Sequence, residues 1–146
     1  YYSNIDIEFL FNNEYLEALN SGLVFDFDFD FLVVNVRKRR LNREIGKLSQ
    51  RYTLRYNAFT QRYTILNVNT GREVSHSSIN SALEYLGSLR NLPTIDDSLI
   101  NIDQNYQVYL QVGTRARGVP SWIKTLTFWR DNLDYVTEWI QWPLYD

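Results

Sequence analysis

Phe25-Asp26-Phe27-Asp28-Phe29-Asp30-Phe31 alternates a large apolar side chain with a carboxylate without a break. Successive side chains of an extended strand point to opposite faces, so this order describes a strand with one dry face and one wet face. The pattern continues as a long strand from Leu23 to Val36. Three carboxylates on one face invite a metal reading. Residues two apart in a strand are separated by roughly 6.5–7 Å, too far for Asp26, Asp28 and Asp30 to converge on one ion. The glycine and distal glutamate of a calcium loop are also missing. No metal and no cofactor is expected there.

A second alternating stretch, Lys47 to Tyr56, suggests what the aspartates face. With a connection centred near Arg40 and Leu41, antiparallel pairing sets Asp30 opposite Arg51, Asp28 opposite Thr53 and Asp26 opposite Arg55. Phe29 then meets Tyr52, Phe27 meets Leu54 and Phe25 meets Tyr56. Asp26, Asp30, Arg51 and Arg55 would form a structural, solvated salt ladder, each exposed pair contributing roughly 0.2–1 kcal/mol. The larger effect is on register, because a slip of one residue turns the phenylalanines toward water.

The remaining elements are short. Ile5 to Phe11 alternates as a strand, and Asn12 or Asn13 caps a helix over EYLEAL that Asn20-Ser21-Gly22 closes. Arg62 to Val68 reads as a strand, turned by Asn69-Thr70-Gly71 into a partner over Arg72 to Ser75. Ser77 or Ser78 caps a helix whose apolar stripe is Ile79, Ala82, Leu83, Leu86 and Leu89. Tyr106 to Val112 is a strand, Gly113 to Ser121 a loop, and a last strand lies between Tyr135 and Leu144. Aromatic residues make up 16% of the chain, which also leans toward strands.

The expected fold is mainly β in a single domain over residues 1–146. The first architecture is an immunoglobulin-like antiparallel β-sandwich of about seven strands with one crossing helix. The alternative is α+β, a curved antiparallel sheet with helices on one face, which the clean stripe from Ile79 to Leu89 favours.

No catalytic signature emerges. The one histidine, His76, lies among Ser75, Ser77 and Ser78, whose simplest role is helix capping. Asp96-Asp97 reads as a solvated turn, and no nucleophile elbow or phosphate loop is present. The chain is expected not to be an enzyme. It has no cysteine and no methionine, which excludes disulfides and thiol chemistry. A removed signal peptide or a trimmed chain would each explain the missing initiator. No apolar run approaches the roughly 20 residues that span a bilayer.

Two surfaces carry the functional expectations. Arg37, Lys38, Arg39, Arg40, Arg43 and Lys47 crowd one connection against a single acid, Glu44. A solvated hairpin end that deters edge pairing is the simplest account. Peripheral contact with an anionic membrane or an acidic partner is the functional one. RNA or DNA is a third and weaker reading of the 37–47 run, and no nucleic-acid partner is expected, since net charge is −2 and the run lacks interleaved aromatics. The second surface is aromatic: Trp122, Trp129, Trp139 and Trp142 all fall near the C-terminus. Trp122 or Trp129 should remain partly exposed and form, with Arg115 and Arg117, a contact surface for a protein partner or a second copy.

Three pieces carry a resemblance: RYTLRYNAFTQRYTI, SSINSALEYLGSLRNLP and YQVYLQVGTRARGVPSWIKTL. Together they resemble a proteobacterial exported-protein family, domain of unknown function 4390. The resemblance implies a small periplasmic or otherwise exported protein, with genes near a sensor kinase and an rRNA methyltransferase, and so a link to two-component signalling. It supplies no catalytic residues. Family members tend to carry aromatics where this chain has RKRRLNRE. The resulting expectation is a non-enzymatic binding or accessory module for an envelope protein, with a small-ligand-binding sandwich as the alternative.

Overall fold

The computed structural model describes residues 2–3, 11, 13–88, 92–93, 96–101, 103–118, 135–136 and 139–144. The elements in chain order are β1 (Tyr2–Ser3), α1 (Asn13–Asn20), β2 (Val24–Val36), β3 (Arg43–Asn57), β4 (Arg62–Asn67), β5 (Glu73–His76) and α2 (Ile79–Gly87). After α2 come β6 (Leu92–Pro93), a single 3₁₀ turn (Asp97–Leu99), β7 (Asn105–Arg117), β8 (Tyr135–Val136) and β9 (Ile140–Pro143).

One antiparallel sheet dominates, in the order β5-β4-β3-β2-β7-β8, with β9 also paired to β7. β1 and β6 form a separate two-stranded pair. The fold is thus mainly β, a β-rich α+β arrangement, and matches the alternative architecture expected from the sequence. The dry face of the sheet is covered by helices, where the first architecture had a second sheet. Phe25, Phe27, Phe29, Phe31 and Val33 of β2 share their face with Tyr52, Leu54, Ile65, Val108, Leu110 and Val112. Ala18 and Leu19 of α1, and Ala82, Leu83 and Leu86 of α2, pack into the same cluster. Burying each phenylalanine contributes roughly 1.5–3 kcal/mol, which fixes which way the central strand faces.

The helix ends follow local chemistry. Gly22 has φ +101°, and the amides of Gly22 and Leu23 donate to the carbonyls of Leu19 and Ala18, ending α1 in a Schellman turn. Ser78 is the N-cap of α2, its hydroxyl accepting from the Ser81 amide at 3.1 Å. Gly71, at φ +74°, makes the β4–β5 turn.

Two expectations change. β2 and β3 pair two residues away from the expected register, with parity kept: Asp26 stands opposite Thr53, Asp28 opposite Arg51 and Asp30 opposite Ser49. The reason lies at the hairpin end. Asn35 pairs with Arg43, so the connection is centred near Arg39 and not near Arg40 and Leu41, and a bulge between Val33 and Val34, which adds one residue on the β3 side, offsets that shift only in part. β7 continues to Arg117, so Arg115 and Arg117 lie on a strand and not in a loop. The expected strand from Ile5 to Phe11 falls largely outside the described residues.

Candidate functional site: an arginine-lined cleft on the open sheet face

The wet face of β2 is flanked by β3 and β7, and each supplies basic side chains. Asp28 is the centre. Arg51 donates to it through Nε at 2.5 Å and Nη2 at 3.2 Å, and Arg115 through Nη2 at 3.0 Å. Burial works against ionisation of Asp28. The hydrogen bond and charge of Arg51, reinforced by Arg115, prevail and hold its carboxyl below the usual carboxylate range.

Asp26 is only 3% exposed. It accepts from Thr53 Oγ1 at 2.9 Å and from Nε and Nη2 of Arg117, a two-pronged guanidinium–carboxylate pair. Asp30 accepts from the Ser49 hydroxyl. Arg55 pairs with Glu73 at 3.6 Å. The expected ladder of Asp26, Asp30, Arg51 and Arg55 is therefore corrected at each member: Arg51 belongs to Asp28, Asp26 to Arg117 and Thr53, Asp30 to Ser49, and Arg55 to Glu73. Nor is the row simply solvated, since Asp26 is buried. Asp28 is the residue that sequence reasoning left out of the site. Its signal was present in the alternation, but it became visible only with the correct register.

Arg51, Arg115 and Arg117 keep roughly half of their side-chain surface exposed. With Asp26, Thr53, Val68 and Ala116 they line an open cleft of about 410 Å³. Gly113 stands opposite Asp28 and presents no side chain, leaving that carboxylate open to Arg115 from one pair further along. The arrangement can present fixed guanidinium donors around a small apolar floor. The hydroxyl that lines it, Thr53 Oγ1, donates to Asp26, whose carboxylate Arg117 also binds.

His76 sits apart. Its Nδ1 lies 3.0 Å from Ser81 Oγ, and its ring is 5.2 Å from that of Tyr85. Its Nε2 is enclosed with no hydrogen-bond partner among the described residues. Burial and then the nearby charge of Arg62 push its pKa down. A serine and a histidine are thus adjacent, yet among the described residues no carboxylate orients the ring, and the contact joins β5 to α2. Ser81, unlike Ser75, Ser77 and Ser78, was not singled out in the sequence. Asp96 accepts from the Ser98 amide at 2.8 Å and so leads into the 3₁₀ turn. Among the described residues no group of three or more His, Asp or Glu side chains is arranged to hold a metal ion.

Arg37, Lys38, Arg39, Arg40 and Arg43 lie at the β2–β3 end of the sheet, closed by the Arg37 amide donating to Asn42 Oδ1 at 3.2 Å. Arg115 and Arg117 join the cleft, while Trp122 and Trp129, expected beside them, lie outside the described residues. Trp139 is exposed and Trp142 is packed against the core.

The family model described as Domain of unknown function (DUF4390) matches residues 1–143. Comparison with curated proteins and with solved structures returns no significant match.

Proposed function

The chain belongs to the family described as Domain of unknown function (DUF4390), and we propose that it is a non-enzymatic binding module of the cell envelope that docks a protein partner on the arginine-lined cleft. One observation carries this reading: Arg51, Arg115 and Arg117 are positioned by Asp28 and Asp26 before any partner arrives. A guanidinium already held in place loses less rotamer freedom on binding than a free one. Val68 and Ala116 add an apolar floor, and arginine beside a desolvated apolar patch is the composition of interface hot spots. The envelope location rests on the family resemblance given above.

The test is capture from envelope extracts with the wild-type chain, Val68→Glu and Arg115→Glu. Both side chains are about half exposed, so neither change should unfold the sheet. Loss of the same captured protein from both variants, each still folding cooperatively and Arg115→Glu only modestly less stable for want of its pair with Asp28, is expected. Identical capture by all three chains would remove the cleft from consideration. Turnover of an ester, phosphoester or glycoside substrate that His76→Ala abolishes would overturn the non-enzymatic part.

A small acidic ligand is a second reading, because 410 Å³ falls within the usual size of ligand sites. It predicts saturable binding by a low-molecular-weight envelope fraction, lost on Arg115→Glu.

A further inference from the structure

Two groups of cations among the described residues differ in how they are paired. Arg51, Arg55, Arg115 and Arg117 lie on the sheet and each is paired with a carboxylate. Arg37, Lys38, Arg39, Arg40, Arg43 and Lys47 lie at the β2–β3 hairpin end, and none makes an ion pair among the described residues. From Lys38 to Glu44 every residue is exposed. In the middle of that segment Leu41 is 92% exposed.

A lone exposed leucine needs no explanation. A leucine at the tip of a hairpin, ringed by unpaired cations, is a different object. Cations gain from the surface potential of an anionic leaflet, and an apolar apex gains from entering the boundary between headgroups and acyl chains. The support is firm, since β2 is hydrogen-bonded on both sides up to Asn35, to β3 and to β7. No helix among the described residues is long and apolar enough to cross a bilayer.

We propose that the β2–β3 hairpin end docks on an anionic lipid surface, with Leu41 as the inserting residue and Arg37, Lys38, Arg39, Arg40 and Arg43 as the headgroup contacts. Single-stranded nucleic acid fits less well, because base stacking needs aromatic platforms and this segment has none. The proposal is independent of the arginine cleft, which lies on another part of the sheet.

The experiment uses vesicles of phosphatidylglycerol mixed with phosphatidylcholine, against phosphatidylcholine alone. The chain should sediment with the anionic vesicles only, and less at high salt. Each cation removed should weaken partitioning roughly fivefold, the equivalent of about 1 kcal/mol. Arg39→Glu with Arg40→Glu should therefore nearly abolish it, and Leu41→Ala should weaken it about tenfold. Arg115→Glu should leave it unchanged, which separates this result from the cleft. Because the chain has no cysteine, a polarity-sensitive dye can be placed by Leu41→Cys alone, with Phe59→Cys as the control at the far end of the sheet. A blue shift on anionic vesicles at position 41 and none at 59 is expected. Absence of vesicle binding, equal binding to both vesicle types, a dye at 41 that stays in water, or tighter loop-dependent binding to single-stranded RNA would each overturn the proposal.

Discussion

Arg117 bonds Asp26 along a diagonal: the strands set Arg117 opposite Val24 and Asp26 opposite Arg115, yet both prongs of the Arg117 guanidinium reach Asp26. Arg115 leans the same way, to Asp28. Each arginine of β7 thus serves the aspartate one pair further along. Arg117→Ala would leave the buried Asp26 with Thr53 as its remaining partner among the described residues. A loss of about 2 kcal/mol is expected in urea unfolding. Asp26→Asn in the same background should recover about half of it. Additive effects of the two substitutions would show that the diagonal pair contributes nothing.

Register gives a second expectation. Charge reversal at Asp28 and Arg51 should show a coupling of roughly 0.5–1 kcal/mol in a double-mutant cycle. The same cycle for Asp30 and Arg51 should show clearly less, since Ser49 and not Arg51 faces Asp30. A larger coupling at Asp30 would contradict the pairing.

Asp28 also predicts an acid limb. Arg51 and Arg115 outweigh its burial and depress its pKa, so the folded chain binds this proton less readily than the unfolded one. The stability it contributes is complete above the ordinary value of 3.8 and is lost as pH falls through the depressed value. Stability of Asp28→Asn should therefore vary less steeply with pH below 3.8 than that of the wild type.

His76 acts at a higher pH. Burial and Arg62 disfavour its charged form in the folded chain. Stability should be full above 6.5 and should decline as pH falls below it, because the unfolded chain takes up the proton first. His76→Gln should remove that decline. An unchanged profile would assign it to another group.

Two phenylalanines make a matched contrast. Phe29 is fully buried beside Tyr52, with ring centroids 5.6 Å apart, and Phe29→Ala should cost about 3–5 kcal/mol. Phe59, at the β3–β4 turn, is 100% exposed, and Phe59→Ala should stay within about 0.5 kcal/mol of wild type.

Much of the fold was legible. Alternation from Phe25 to Phe31 names the strand and its dry face, and Ser78 with the stripe after it names α2. What covers the dry face was not, because a period of two reports one apolar side without saying whether a sheet or a helix meets it. The register was not legible for a local reason: the connection turns near Arg39, inside a basic run with no glycine or proline to mark it, and the bulge at Ile45 offsets that shift only in part. The cleft was missed for another. Gly113 looks like the start of a loop, so Arg115 and Arg117 were set beside the tryptophans instead of opposite the aspartates. Arginine and aspartate were each visible, but only a strand that continues through a glycine brings them together.

The two neighbours of β2 have different histories. β3 follows it through one short connection, whereas β7 begins only at Asn105, with β4, β5 and α2 lying between them in the chain. Local pairings form readily, and distant ones must first overcome loop closure. While β7 is still free, one edge of β2 is a bare ladder beside a row of phenylalanines, which is the sort of segment that recruits a second copy of itself. Asp26, Asp28 and Asp30 are then three like charges in that same segment, so a copy laid alongside meets repulsion. The carboxylates that bind Arg117, Arg51 and Ser49 in the folded sheet would then oppose self-association for as long as β7 is unpaired.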